Sequence, residues 1–489
     1  MLFNSIVFLI FGGVFFLLLP LINRTSNNFR WSFYIIASFI FYGWWNWLFL
    51  FLIIGTGLID FWGALAMQKW PKYRLFFFLF AVVGSLGTLI AFKYSGFFAE
   101  NIETLLSWFG IYVRLKSRIP EFFLILPIGI SFYTFQSLSY TIEVYRGKLI
   151  PTKNILHYFS YLSMFPQLLS GPIVRARNLL PQLMRVRKVS EVERWNGMKL
   201  IALGFFKKVV MADTLAPFVN SAFSDIAPSN SSIYWWLVML AYAFQIYFDF
   251  SGYTDIARGL AKWMGLHIKV NFNHPYISTS IREFWTRWHI SLSTWFRDFV
   301  FLPVAFRISR KLPKYKYFKI RTDHLIYIFG VIVTYFLCGF WHGASYTFII
   351  WGLLHAFYLI VERMTKWNKK IKKLQTGKFL ALVIVFIEII VAWVFFRAQG
   401  LNQALKTIGR MFSFHLSFSF KNDTVFKNAM IFLIIGLIIE MFIFFNIKKV
   451  KALFNPNTYK YIEIIYIALL VTCSIFLAGP GQQFIYFQF

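Results

Sequence analysis

Charge-free apolar stretches long enough to cross a lipid bilayer recur along this chain, and no other feature constrains its fold as much. Residues 2–22 hold no charged side chain, and none lies between Arg74 and Lys93. A hydrocarbon core takes about 20 helical residues, and within it every backbone N–H and C=O must be satisfied by the chain itself. Further runs of spanning or near-spanning length are 31–47, 48–67, 75–94, 122–144, 155–169, 198–219, 233–250, 325–341, 346–361, 379–396, 429–447 and 462–477. Several are short or carry charges, which predicts roughly ten to twelve true spans plus one or two half-membrane segments. Non-helical backbone at membrane depth is tolerated only inside protein or around a wet cavity, so those segments point to an internal cavity. The expected fold class is an all-α polytopic membrane protein, a single integral-membrane domain over residues 1–489, with no internal repeat and no soluble domain.

Composition closes the alternatives. The chain is 58% hydrophobic and 22% aromatic but only 14% charged, against about 25% charged in soluble domains. A soluble globule has too little polar surface to cover that much apolar area, and disordered chains are poor in aromatics. The 50 Lys+Arg against 19 Asp+Glu leave a formal charge of +31. In a soluble protein this would suggest nucleic acid. Here the basic residues sit in short loops between apolar runs, the pattern that orients a multi-pass protein, so membrane lipid is expected as a partner and nucleic acid is not. Loops 69–74, 146–153, 175–188, 307–321, 363–378 and 448–451 read as cytoplasmic. The stretch 213–233, with two Asp and no Lys or Arg, reads as external. The first run has no basic residue before it and no small-residue cleavage site after it, so it reads as a retained span. Arg24 and Arg30 follow it, which puts the N-terminus outside. Cys338 and Cys473 lie in apolar runs and suggest neither a disulfide framework nor a zinc site.

Ionisable groups inside membrane segments are costly and mark candidate function. They concentrate between Asp249 and His355, among Trp285, Trp288, Trp295, Trp341 and Trp351. The stretch 281–301, IREFWTRWHISLSTWFRDFVF, is too polar to span lipid and too aromatic for a free loop. It reads as a helix buried in the protein or lying at the interface, with His289 near its middle. Adjacent helix positions do not face each other, so Arg282, Glu283, Arg297 and Asp298 are expected to pair with groups on neighbouring helices. In CGFWHGA, His342 ends an apolar run between Gly339 and Gly343, and a helix-ending glycine leaves the ring room to face a cavity. An imidazole titrates near neutrality and can take a proton from a substrate hydroxyl. His355 follows an ordinary apolar run and reads as structural. Two histidines without a third ligand at recognisable spacing do not suggest a metal site, and none is expected. No phosphate loop, serine nucleophile elbow or paired-carboxylate motif is visible. A base and a channel suit acyl transfer to a hydroxyl. A transporter or flippase for a lipid-linked polymer also fits buried charges and a cavity, although internal repeats are missing.

The chain resembles the membrane-bound O-acyltransferases, and among them the bacterial alginate O-acetyltransferase membrane subunits. The resemblance is carried by LPIGISFYTFQSLSYTIEVYRG from Leu126, MFPQLLSGPIVR from Met164, FFKKVVMAD from Phe205 and QIYFDFSGYTDIARGL from Gln245. It continues through NFNHPYISTSIREFWTRWHISLSTWFRD from Asn271, GFWHGASYTFIIWGLLH from Gly339, WVFFRA from Trp393 and the terminal FIYFQF. It implies a ring of tilted helices around a central tunnel, with the catalytic region at about residues 245–360. It implies His342 as the general base, with His289 orienting the acceptor or stabilising charge. Asn273, Asp249, Trp341 and Trp285 become candidates to line or brace the tunnel. It also implies acetyl as the transferred group, acetyl-CoA as a cytoplasmic donor and no tightly bound cofactor. The expected partner is an extracytoplasmic SGNH-hydrolase-like acyltransferase that modifies an exported polysaccharide, and the expected location is the bacterial inner membrane. The basic loops 307–321 and 363–378 could attract the phosphates of the donor, besides setting topology. Two departures stand out. Alginate-type members commonly run into a PLGGNR loop where this chain continues from Leu302 into PVAFRISRK. WFRDFVF from Trp295 looks like the branch that transfers D-alanyl groups to teichoic acid, the alternative acyl reading.

Overall fold

The protein is described from a computed structural model that covers residues 1–224, 229–317 and 320–487, without the side chains of residues 442–452, 456 and 457. Asp225 of the external stretch, two residues of the 307–321 loop, the side chains of the 448–451 loop and the last two residues of FIYFQF therefore lie outside the described residues. The chain is nearly all helix. The sheet present is one antiparallel pair of two-residue strands, with Lys316 opposite Arg321 and Tyr317 opposite Ile320.

Among the described residues, eight helices are long and apolar enough to cross a membrane. They are Trp47–Lys69, Pro71–Lys93, Ser232–Trp263, Thr322–His342, Tyr346–Thr365, Gly377–Arg397, Thr424–Met441 and Thr458–Phe476. A shorter apolar helix, Ile6–Ile22, joins them; Ser5 caps it by accepting the Phe8 N–H. The protein is thus a multi-pass membrane protein. The other apolar runs are helical but broken or charged. Run 122–144 stops after Leu124 and restarts at Ile130. Between them Gly129 adopts φ +79, and a Cβ there would lie 2.8 Å from the Leu168 carbonyl, so glycine is required twice over. Run 155–169 divides into Ile155–Leu162 and Phe165–Leu168. Run 198–219 is continuously helical, but Phe206–Ala212 is wound as a π-helix and carries Lys207 and Lys208.

The chain packs as two compact units. One comprises Met1–Ile201 and Tyr253–Lys269; the other comprises Ala202–Gly252 and the residues from Val270 on. In the first, Asp60 is fully buried inside a span and accepts the hydroxyls of Ser85 and Thr141, both at 2.7 Å. A carboxylate at that depth needs such donors. The second unit holds both candidate catalytic histidines. Its most extensive helix–helix packing among the described residues is between Thr322–His342 and Tyr346–Thr365. A Cβ on Gly339 would meet the Phe348 carbonyl at 2.2 Å, and one on Gly352 would meet the Tyr335 carbonyl at 2.1 Å. Small residues let membrane helices approach backbone to backbone, where apolar burial gives no driving force against lipid.

Candidate active site

His342 is the last residue of its helix, and Gly343 follows with extended backbone, φ −166. Gly343 is needed here for its missing side chain: the Phe348 ring lies 2.2 Å from where a Cβ would stand. The helix end and the Gly339–Gly352 crossing together fix the imidazole, which is buried in an aromatic box. Its ring centre lies 4.9 Å from Trp341, 4.9 Å from Trp351, 5.1 Å from Phe396 and 5.7 Å from Tyr486.

The segment around His289 departs from the expected single helix. Ile281–Arg287 and Ile290–Phe296 are separate helices, and His289 stands at the break with φ 40 and ψ 54. A non-glycine residue in the left-handed region is uncommon and persists when its surroundings hold it there. The surroundings do so. Asn271 accepts the Ile290 N–H through its carbonyl at 2.9 Å and the Ser291 N–H through its side chain at 3.0 Å. At the other end, Glu362 accepts the Ile281 N–H at 2.6 Å. The His289 ring is fully buried, 4.7 Å from Phe250 and 6.2 Å from Tyr486. Burial pushes its imidazole down to about 3, so it is neutral at ordinary pH.

Trp341 and Tyr486 link the two histidines, since each ring touches both imidazoles. Tyr486 is fixed from outside the pair. Asp249 accepts the neighbouring Ile485 N–H at 2.7 Å and pairs with Lys208 at 2.7 Å. Lys208 also pairs with Asp213 at 2.8 Å and donates to the Gln482 carbonyl at 3.1 Å. Asp249 is therefore placed as a brace under the terminal segment, one residue before the Phe250 that touches His289.

The remaining candidates are placed elsewhere. Trp285 contacts His355 at 5.0 Å and is linked to His342 through Trp351. His355 is fully buried among Phe284, Trp285 and Trp351, and neither ring nitrogen has a hydrogen-bond partner among the described residues. Asn273 is exposed, donates its N–H to the Arg287 carbonyl and accepts the Arg287 guanidinium on its own carbonyl, while the buried asparagine beside His289 is Asn271. Glu283 pairs within its own helix, with Arg287 as an i,i+4 neighbour at 3.0 Å, and so departs from the expected partner on a neighbouring helix. Arg297, contrary to expectation, does pair with adjacent Asp298, at 2.8 Å, within π-wound backbone that alters the usual facing. Asn271, Lys208, Glu362 and Tyr486 were not singled out from sequence. Lys208 is an ionisable residue in an apolar run and Glu362 directly follows one, the signal that could have found them.

A family model described as MBOAT, membrane-bound O-acyltransferase family, matches residues 143–404, which include both histidines and most of their packing shell. The chain belongs to this family. Acyl transfer is therefore its chemistry, and the transporter reading falls away. Among its relatives is a probable alginate O-acetylase of Pseudomonas aeruginosa, 36% identical over 85% of this chain and 75% of that protein. A peptidoglycan O-acetyltransferase of Helicobacter pylori is 31% identical over 93% of this chain and 90% of that protein. A teichoic acid D-alanyltransferase of Bacillus subtilis is 31% identical over 78% of this chain and 94% of that protein.

Proposed function

We propose that this membrane-bound O-acyltransferase moves an acetyl group from acetyl-CoA on the cytoplasmic side to the hydroxyl of an exported polysaccharide or other envelope polymer. The transfer runs through an extracytoplasmic SGNH-hydrolase-like partner, in the bacterial inner membrane, with the N-terminus outside. His342 is the general base: it takes the acceptor hydroxyl's proton as the oxygen attacks the thioester carbonyl. The C–S bond breaks, and the departing sulfur receives the proton. His289, neutral and held rigidly, orients the acceptor; Asp249 and Trp341 brace the pair. The observation that carries this reading is the joining of two buried imidazoles through Trp341 and Tyr486. The names of the alginate and peptidoglycan relatives support acetyl as the group and an envelope polymer as the destination.

The test is transfer of labelled acetyl from acetyl-CoA by purified protein in detergent, with and without His342→Gln. Wild type should transfer label to an added hydroxyl acceptor or partner protein. The variant, folded equally well, should fall by about a hundredfold or more, the scale of losing a general base. Equal transfer by both would remove His342 from the mechanism. Transfer of D-alanyl in place of acetyl would favour the second reading, which WFRDFVF and the teichoic acid relative support.

A further inference from the structure

Within the first unit lies a cleft of about 830 Å³ that the acyl-transfer reading does not use. Its wall is apolar and aromatic, formed by Phe16, Leu19, Trp195, Met198 and Trp263. Its rim carries Arg24, Arg187, Lys188 and Arg194, with Glu191 as the carboxylate lining it. The wall is a fixed construction. Trp263 Nε1 donates to the Arg194 carbonyl at 2.8 Å, and its ring meets Phe16 edge-on at 5.3 Å. Gly197 makes this possible, since a Cβ there would lie 2.6 Å from the indole. Aromatic rings held beside basic side chains are the usual furniture of a membrane–water boundary.

The cations are only partly neutralised by protein. Arg187 pairs with Glu193 at 2.7 Å. Arg24, Lys188 and Arg194 have no carboxylate partner within ion-pair distance among the described residues. Arg24 follows the first span, and Arg187 and Lys188 belong to loop 175–188, so the sequence assigns both loops to the same face. A small inorganic anion would use the rim and leave the wall wet. A neutral lipid would use the wall and leave the charges unanswered. Only an amphiphilic anion uses both.

We infer that this cleft holds an anionic phospholipid, with its phosphodiester among Arg24, Lys188 and Arg194 and an acyl chain along Phe16, Met198 and Trp263. Basic pockets between membrane helices bind such headgroups because charge and hydrocarbon are satisfied together. The inference is independent of the acyl-transfer reading.

Native mass spectrometry of the full chain, titrated with phosphatidylglycerol or phosphatidylcholine, tests it. Wild type should retain one phosphatidylglycerol in preference to phosphatidylcholine. The Arg24→Gln, Lys188→Gln, Arg194→Gln variant should bind it at least about tenfold more weakly. Unchanged retention by the folded variant, or equal retention of phosphatidylcholine, overturns the inference. So does coenzyme A binding in the absence of lipid that the same triple substitution abolishes, which would make this cleft a site for a soluble phosphate. If the triple variant does not fold, Lys188→Gln alone carries the test, because Lys188 is exposed and outside every helix. It should weaken binding about fivefold, and no change there is likewise fatal.

Discussion

Replacing Lys208 with Met should unfold the second unit far more readily than its one lost charge suggests. Lys208 lies within 2.7 Å of Asp249 and 2.8 Å of Asp213. The two carboxylate side chains are 4% and 2% exposed, respectively. Without the ammonium, both are left buried beside each other with no counter-charge. Breaking one buried pair in this way costs about 3–5 kcal/mol, most of it the price of the stranded charge. The terminal segment should loosen as well. It is held by the Gly479 N–H on the Val209 carbonyl at 2.8 Å, by the Lys208–Gln482 bond and by the Ile485–Asp249 bond. Tyr486 would then lose its place between the imidazoles, and acyl transfer should fall along with stability. The assay is the folded fraction in mixed detergent, followed by tryptophan fluorescence, alongside transfer of labelled acetyl. The decisive comparison is Lys208→Met combined with Asp213→Asn and Asp249→Asn. Removing the whole charged set leaves nothing stranded, so this triple variant should recover most of the lost stability and part of the activity. If Lys208→Met is as stable as wild type, or the triple variant is no better than the single, the reasoning is refuted.

Gly352→Ala should force Thr322–His342 and Tyr346–Thr365 apart, because its Cβ would lie 2.1 Å from the Tyr335 carbonyl. A loss of about 1–3 kcal/mol and at least tenfold slower transfer are expected from thermal unfolding and the labelled assay. Gly400→Ala, where nothing lies within 4 Å, is the neutral control. Glu283 gives a pH prediction. Burial works against its charge, but hydrogen bonds from Thr279 and Arg287 outweigh this and hold its carboxyl below the ordinary value. A carboxyl depressed on folding contributes stability above its unfolded pKa, and that stability is lost as pH falls through the folded one. The segment 281–287 should therefore loosen on acidification below about pH 4, seen as a shift in tryptophan emission that Glu283→Gln abolishes.

Membrane character was legible because hydrocarbon imposes one rule on every residue: the apolar run 379–396 became Gly377–Arg397 almost unchanged. The breaks were harder. Run 155–169 holds no Asp, Glu, Lys or Arg, yet it divides at Ser163, and hydropathy carries no record of such a turn. His342 could be read from its glycines, although Gly343 serves by admitting Phe348 and not by a left-handed turn. His289 stands out by its place in a polar, aromatic stretch, but nothing in that stretch marks the left-handed backbone that aims it. That conformation comes from Asn271, 18 positions earlier, and local propensity cannot report so distant a contact. The same limit hides that Asn271, and not the candidate Asn273, is the buried one. Spacing in one strip of sequence does not say which of two asparagines turns inward.

The crossing at Gly339 and Gly352 bears on how the protein can move. Each helix there rests its backbone in the gap left by the other's missing side chain. A slide of one residue would bring Phe340 or Leu353 against a carbonyl that only glycine admits. The two helices consequently form a riveted joint with no gliding surface. A carrier that rocks one bundle over another needs such a surface in its core. In this unit the two helices keep one register, and His342, the last residue of one of them, is held with it.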